Sequence, residues 1–107
     1  MLDNKQKKFL QSLAQSRKTI IWIGQHGLTE NVIREIDAAL DHHELIKVRI
    51  RAGGRDERDQ LIERLCRECR AEPVQRVGNV IALYRRHPDK PRIALPAGGF
   101  RGGEPSR

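Results

Sequence analysis

The sequence predicts an α/β fold in the order α-β-α-β-α-β-β, with helices packed on a four-stranded mixed sheet. Three observations carry that prediction. Apolar residues recur at helical spacing in three segments, and β-branched or alternating runs fill four others. Between the last two runs sits Gly78-Asn79, a dipeptide suited to a two-residue hairpin turn. At 107 residues the chain has room for one domain with a single modest core.

Asp3 is placed to cap a first helix that runs to about residue 16. Its apolar stripe is Phe9, Leu10, Leu13 and Ala14, and its other side carries Lys5, Lys7 and Lys8. Residues 19–23 are β-branched and aromatic and read as a strand buried on both faces. Gly24-Gln25-His26-Gly27 leads from this strand into a second helix capped by Thr29, with Val32, Ile33, Ile36 and Leu40 inward as far as about residue 41. A polar turn, Asp41-His42-His43-Glu44, follows. In residues 45–51, Ile46, Val48 and Ile50 then alternate with Lys47, Arg49 and Arg51, so period two puts three cations on one strand face. Ala52-Gly53-Gly54 ends that strand, and residues 56 to about 70 form a third helix with Leu61, Ile62, Leu65, Cys66 and Cys69 inward. Residues 72–77 and 80–85 flank the hairpin turn.

Parallel crossovers place the helices of the β-α-β units on one face of the sheet and leave the other partly open. Lys47, Arg49 and Arg51 must then project from the open face as solvated cations. From His87 onward prolines and glycines replace periodicity. The domain is therefore expected to span residues 1–96, with residues 97–107 as a flexible Gly/Arg/Pro tail and Ile93-Ala94-Leu95 docking as a short extended piece. Phe100-Arg101-Gly102-Gly103 resembles a single RGG unit.

Charge narrows the partner. Lys+Arg 21 against Asp+Glu 14 gives a net charge of +7 and a pI near 10.1, which favours a polyanion over an acidic small molecule. No run approaches a transmembrane span and the first segment is charged, so membrane insertion and secretion are not expected and the cytoplasm is the expected compartment. The Gly24-Gln25-His26-Gly27 loop, between a strand and a helix start, suits an approach to a phosphate backbone, because glycines permit positive φ and the helix start presents amide groups to an anion. The bland reading is an ordinary strand-to-helix connection. Flanking cations Arg17, Lys18, Arg85 and Arg86, with Lys47, Arg49 and Arg51, make an excess larger than protection of an edge strand requires. RNA is the partner this favours; a DNA-binding or nucleoid protein is the alternative with the same charge.

Other chemistries find little support. A dinucleotide site would need Gly-x-Gly-x-x-Gly, and the Walker signature is missing, so no cofactor and no small-molecule substrate are expected. Cys66 and Cys69 continue the inward stripe of the third helix, which makes them core residues before they are a zinc or redox pair. His42, His43 and Glu44 point in different directions as neighbours entering a strand, so no metal site is expected, and His43 and Glu44 read as turn or packing residues. No nucleophile with an adjacent base stands out, which argues against an enzyme. Trp22 and Tyr84 have the chemistry to stack on bases, although aromatic residues in strands are more often core.

Taken together, Lys5-Gln6 with its helix, Ile23-Gly24-Gln25-His26-Gly27-Leu28-Thr29, the run from His42 through Val48, and Val80-Ile81-Ala82-Leu83-Tyr84-Arg85 resemble the CRM domain (chloroplast RNA splicing and ribosome maturation), specifically its stand-alone bacterial YhbY-like members. The resemblance covers about residues 2–96. It implies a fold like the C-terminal domain of translation initiation factor three, RNA binding, and association with ribosomal RNA in precursors of the large ribosomal subunit. The family's Gly-x-x-Gly loop falls on Gly24, Gln25, His26 and Gly27, with basic residues beside it. Relatives often hold a lysine or arginine inside the loop, where this chain has Gln25 and His26. Oligomeric state is left open by the sequence.

Overall fold

A computed structural model describes residues 2–24, 26–51 and 54–96. The elements are α1 (Asn4–Gln15), β1 (Thr19–Ile23), α2 (Glu30–His43), β2 (Leu45–Ile50), α3 (Arg55–Cys69), β3 (Glu72–Val77) and β4 (Val80–Tyr84). Both expected caps form. Asp3 accepts the amide of Gln6 while Gln6 returns a bond to the Asp3 amide, a capping box, and Thr29 accepts the amide of Val32. Gly78, at φ 59°, makes the hairpin turn possible.

The sheet order is β1-β2-β4-β3. β1 runs parallel to β2, as a β-α-β unit requires, whereas β4 is inserted antiparallel between β2 and β3. Helices α2 and α3 cover one face, where Ile36, Leu40, Leu65 and Cys69 meet Ile21, Ile23, Ile46, Val48, Ile50, Ile81 and Leu83. On the other face, the front, α1 lays Leu10 and Ala14 on Leu45, Val74, Ala82 and Tyr84. Burying a side chain of the size of Leu10, fully enclosed here, contributes about 2 kcal/mol.

Two expectations need correction. β1 is buried on one face only: Ile21 and Ile23 are enclosed, but Trp22 is 62% exposed and Ile20 43%, because β1 is an edge strand that α1 does not reach. The segment 41–44 is not a polar turn, since α2 continues through His43 and the chain reverses at Glu44 alone, which takes φ 62°. Glu44 is fully buried, and its carboxylate accepts the backbone amides of His87, Arg92 and Ile93, each at 2.7 Å. The docking expected of Ile93-Ala94-Leu95 is present, and the stretch up to residue 96 is anchored. Besides the Glu44 bonds, Ile93 and Leu95 pack under α1 and the Pro96 carbonyl accepts from the Gln6 amide group. The tail expected over residues 97–107 lies outside the described residues.

Candidate nucleic-acid interface

The loop after β1 closes on itself: the Gly27 amide donates to the Gly24 carbonyl at 3.0 Å, a turn of four residues whose second member, Gln25, lies outside the described residues. Only Gly27 needs glycine conformationally, with φ 72°. A methyl group at Gly24 would meet nothing within 4 Å, so its absence keeps space open rather than relieving a clash. His26 is exposed. Glu30 occupies the first turn of α2 and pairs with Arg34, so that helix end already has its negative charge. Anion affinity at the loop therefore depends on its own amides and on neighbouring cations more than on the α2 dipole. One of these is Arg51, whose amide donates to the Ile23 carbonyl and fixes its backbone beside the loop entrance.

Register assembles the rest of the surface. Trp22 pairs with Arg49, Arg49 with Val80, and Val80 with Val77, so these four residues form one rung across all four strands. At a strand spacing of about 4.8 Å the rung is roughly 14 Å wide. The rung behind it, Thr19, Lys47, Ala82 and Gln75, marks the border of α1, and the next, with Leu45, Tyr84 and Glu72, lies beneath that helix. A groove of about 390 Å³ runs along this border, lined by Gln15, Lys47, Gln75, Val77, Val80 and Ala82.

The electrostatics are sided. Residues 4–29 contain no Asp or Glu and five cations, Lys5, Lys7, Lys8, Arg17 and Lys18; residues 45–55 contain none and four more, Lys47, Arg49, Arg51 and Arg55. Carboxylates gather instead on the opposite layer, four on α2 and five on α3. The front of the sheet and the outside of α1 are thus one basic surface, and Lys5 and Lys8, exposed on α1, extend it.

The sequence-derived cations divide into three sets. Among the described residues, Lys18, Arg49, Arg51 and Arg86 are exposed with side chains that form no hydrogen bond or ion pair. Arg17 and Lys47 tie the α1–β1 link to β2: the Arg17 guanidinium donates to the Leu45 carbonyl at 2.8 Å, and the Lys47 ammonium to the Arg17 carbonyl at 3.2 Å. Lys47 is consequently half-buried, not the freely solvated cation the alternation suggests. Arg85 does not join the surface. It points to the opposite layer, where its guanidinium binds Asp37, Asp41 and the Cys69 carbonyl; burial disfavours its charge, but the two carboxylates outweigh this and hold its pKa above the ordinary value. Arg86 lies six residues past Val80, roughly 20 Å along the strand direction, and flanks the far end of the sheet rather than the loop.

A model of the CRS1 / YhbY (CRM) domain matches residues 2–85. The chain belongs to the CRM domain family. An "RNA-binding protein" of Haemophilus influenzae is 41% identical over 95 residues, covering 89% of this chain and 95% of its own length. YqeI of Bacillus subtilis, named a probable RNA-binding protein, is 36% identical over 96 residues, 90% of this chain and all of its own. The solution structure of a Staphylococcus aureus protein proposed to bind RNA superposes with a TM-score of 0.77 at 41% identity, covering 90% of this chain and 100% of that one. The fold expected from the CRM resemblance is the fold observed.

Within this CRM domain the two cysteines are core. Cys69 is buried and Cys66 packs against the same cluster, and burial pushes the Cys66 thiol up to about 11 and the Cys69 thiol in the same direction. Among the described residues no cluster of three His, Cys, Asp or Glu side chains is arranged to hold a metal ion. Tyr84 is enclosed under α1, while Trp22 is open to solvent. No pattern within β1 or β4 separates these two aromatics; the reach of α1 does.

Proposed function

We propose that this CRM domain is a non-enzymatic, cytoplasmic RNA-binding protein that assists assembly of the large ribosomal subunit, gripping ribosomal RNA in precursor particles through the Gly24–Gly27 loop and the basic front of the sheet. The observation that carries this reading is the segregation of charge, with the Trp22 and Lys47 rungs of the front free of carboxylates and nine carboxylates on α2 and α3 behind. Such a surface binds phosphates by displacing counterions and needs no base sequence to do so. The names of the Haemophilus and Bacillus relatives support RNA as the polyanion. Arg51 and Arg49 lie nearest the loop and would take the first phosphates, with Lys18 and the lysines of α1 extending the track.

Crosslinking in cells, followed by sequencing of the attached nucleic acid, tests it. Reads concentrated in large-subunit ribosomal RNA, from particles sedimenting as precursors, are expected. Reads spread over messenger RNA would remove the assembly role, and recovery of DNA alone would replace RNA by the nucleoid reading.

A further inference from the structure

Phosphate contacts occupy cations, and they leave Trp22 without a purpose. This indole stands 62% exposed on a strand, and at the other end of its rung Val77 is 64% exposed. Both are large apolar groups left in water, with Arg49 between them in register. We propose that Trp22 is a stacking platform for one unpaired base of single-stranded RNA, with Arg49 and Arg51 holding the phosphates on either side of it. The inference rests on the RNA-binding reading above and adds to it a preference for unpaired strands.

Charge selects this occupant over a protein. No carboxylate stands on the Trp22 rung or on the rung behind it, so an acidic ligand meets only attraction there. A second copy of the chain placed face to face would set Arg49 and Lys47 against their own counterparts. An RNA strand supplies negative charge and a flat π-surface together, and every base can stack, so the contact tolerates any sequence. The groove beside the rung has an apolar floor of Val77, Val80 and Ala82 and hydrogen-bonding groups from Gln15, Lys47 and Gln75, which suits the edge and face of the neighbouring base. A fully paired duplex cannot present a base to the indole without breaking a pair.

Trp22 is the chain's single tryptophan, so its fluorescence reports on this one site. The full chain is titrated with a single-stranded RNA 12-mer and with a blunt-ended RNA duplex of equal charge, in parallel with the Trp22→Leu and Trp22→Phe variants, whose folding is checked by circular dichroism and whose affinities, like that of the wild type, are read from the anisotropy of end-labelled RNA. Quenching by the single strand alone is expected, together with about tenfold weaker single-strand binding for Trp22→Leu, partial recovery in Trp22→Phe, and duplex affinity unchanged in both. Normal single-strand binding by Trp22→Leu would overturn the stacking role and leave RNA binding intact. Absence of binding to either RNA by the wild type would remove the underlying reading itself. A wild-type dimer in light scattering that Trp22→Leu converts to monomer would assign the face to self-association instead.

Discussion

The Glu44 carboxylate accepts the backbone amide of Ile93 at 2.7 Å, and with the bonds to His87 and Arg92 it ties the stretch after β4 onto the junction between α2 and β2. One fully buried side chain thus holds a strap that has no secondary structure of its own, and the strap in turn places Ile93 and Leu95 under α1. Replacing Glu44 by Gln keeps the shape but turns an amide N–H toward one of these donors. A loss of about 2–3 kcal/mol is expected, read by chemical denaturation. Unaltered stability would show that the strap is not anchored through this carboxylate.

The same group sets a pH dependence. Burial raises the Glu44 pKa, but the three amide bonds and the nearby His87 outweigh it, so the folded value lies below the ordinary glutamate value of 4.5. A depressed carboxylate stabilises the fold fully above its unfolded pKa, and that contribution is lost as pH falls through the folded value. Hydrogen exchange at His87, Arg92 and Ile93 is expected to accelerate, relative to the β2 amides, as the solution is acidified below about pH 4.5. In the Glu44→Gln variant this acid step should be absent.

The cysteines give a chemical control. With the Cys66 thiol pushed up to about 11 and Cys69 enclosed, little thiolate is present near neutral pH, and alkylation at pH 8 should be slow in the native protein and rapid in denaturant. A Cys66→Ala variant is expected to bind RNA as the wild type does. Rapid native alkylation, or metal retained after purification without chelators, would return the zinc or redox reading.

The two loop glycines should separate. Gly27 holds φ 72°, a conformation that costs a residue with a side chain about 1 kcal/mol, so Gly27→Ala is expected to lower stability by that amount. Gly24→Ala meets no neighbour and should leave the denaturation midpoint unchanged, while its methyl group obstructs a phosphate approaching the loop. Weakened RNA binding at wild-type stability is therefore expected for Gly24→Ala. Equal affinity would mean that the approach of RNA does not pass over Gly24.

Helices and strands were legible because capping residues, periodicity and the Gly78-Asn79 turn are local signals, and each sits where the pattern puts it. The side of the sheet a residue faces was legible only relative to its own strand. Leu45 and Lys47 share parity, yet one is sealed under α1 and the other borders a groove, because coverage depends on where a helix from residues 4–15 comes to rest. The same gap hid the exposure of Trp22 and the insertion of β4 beside β2. Local pattern makes Glu44 a turn or packing residue, since nothing in it announces three amide donors arriving from more than forty residues away. Arg85 was grouped with the surface by composition, although the step from Tyr84 to Arg85 turns it to the other face.

That turn yields the sharpest test of the surface. Arg49 and Arg51 are exposed and free of partners among the described residues, whereas Arg85 is held by Asp37, Asp41 and the Cys69 carbonyl. Binding of RNA is measured for each variant as the logarithm of affinity against the logarithm of salt. Each phosphate neutralised contributes about 0.7 to 0.9 to the slope, so Arg49→Ala with Arg51→Ala should flatten it by roughly 1.4 to 1.8 without altering stability. Arg85→Ala should leave the slope alone and cost about 1–2 kcal/mol of folding free energy, less than a fully buried cluster would because both aspartates are more than half exposed. If Arg85→Ala flattened the slope and the double variant did not, the RNA would lie on the α2–α3 side, and the front of the sheet would lose its claim as the interface.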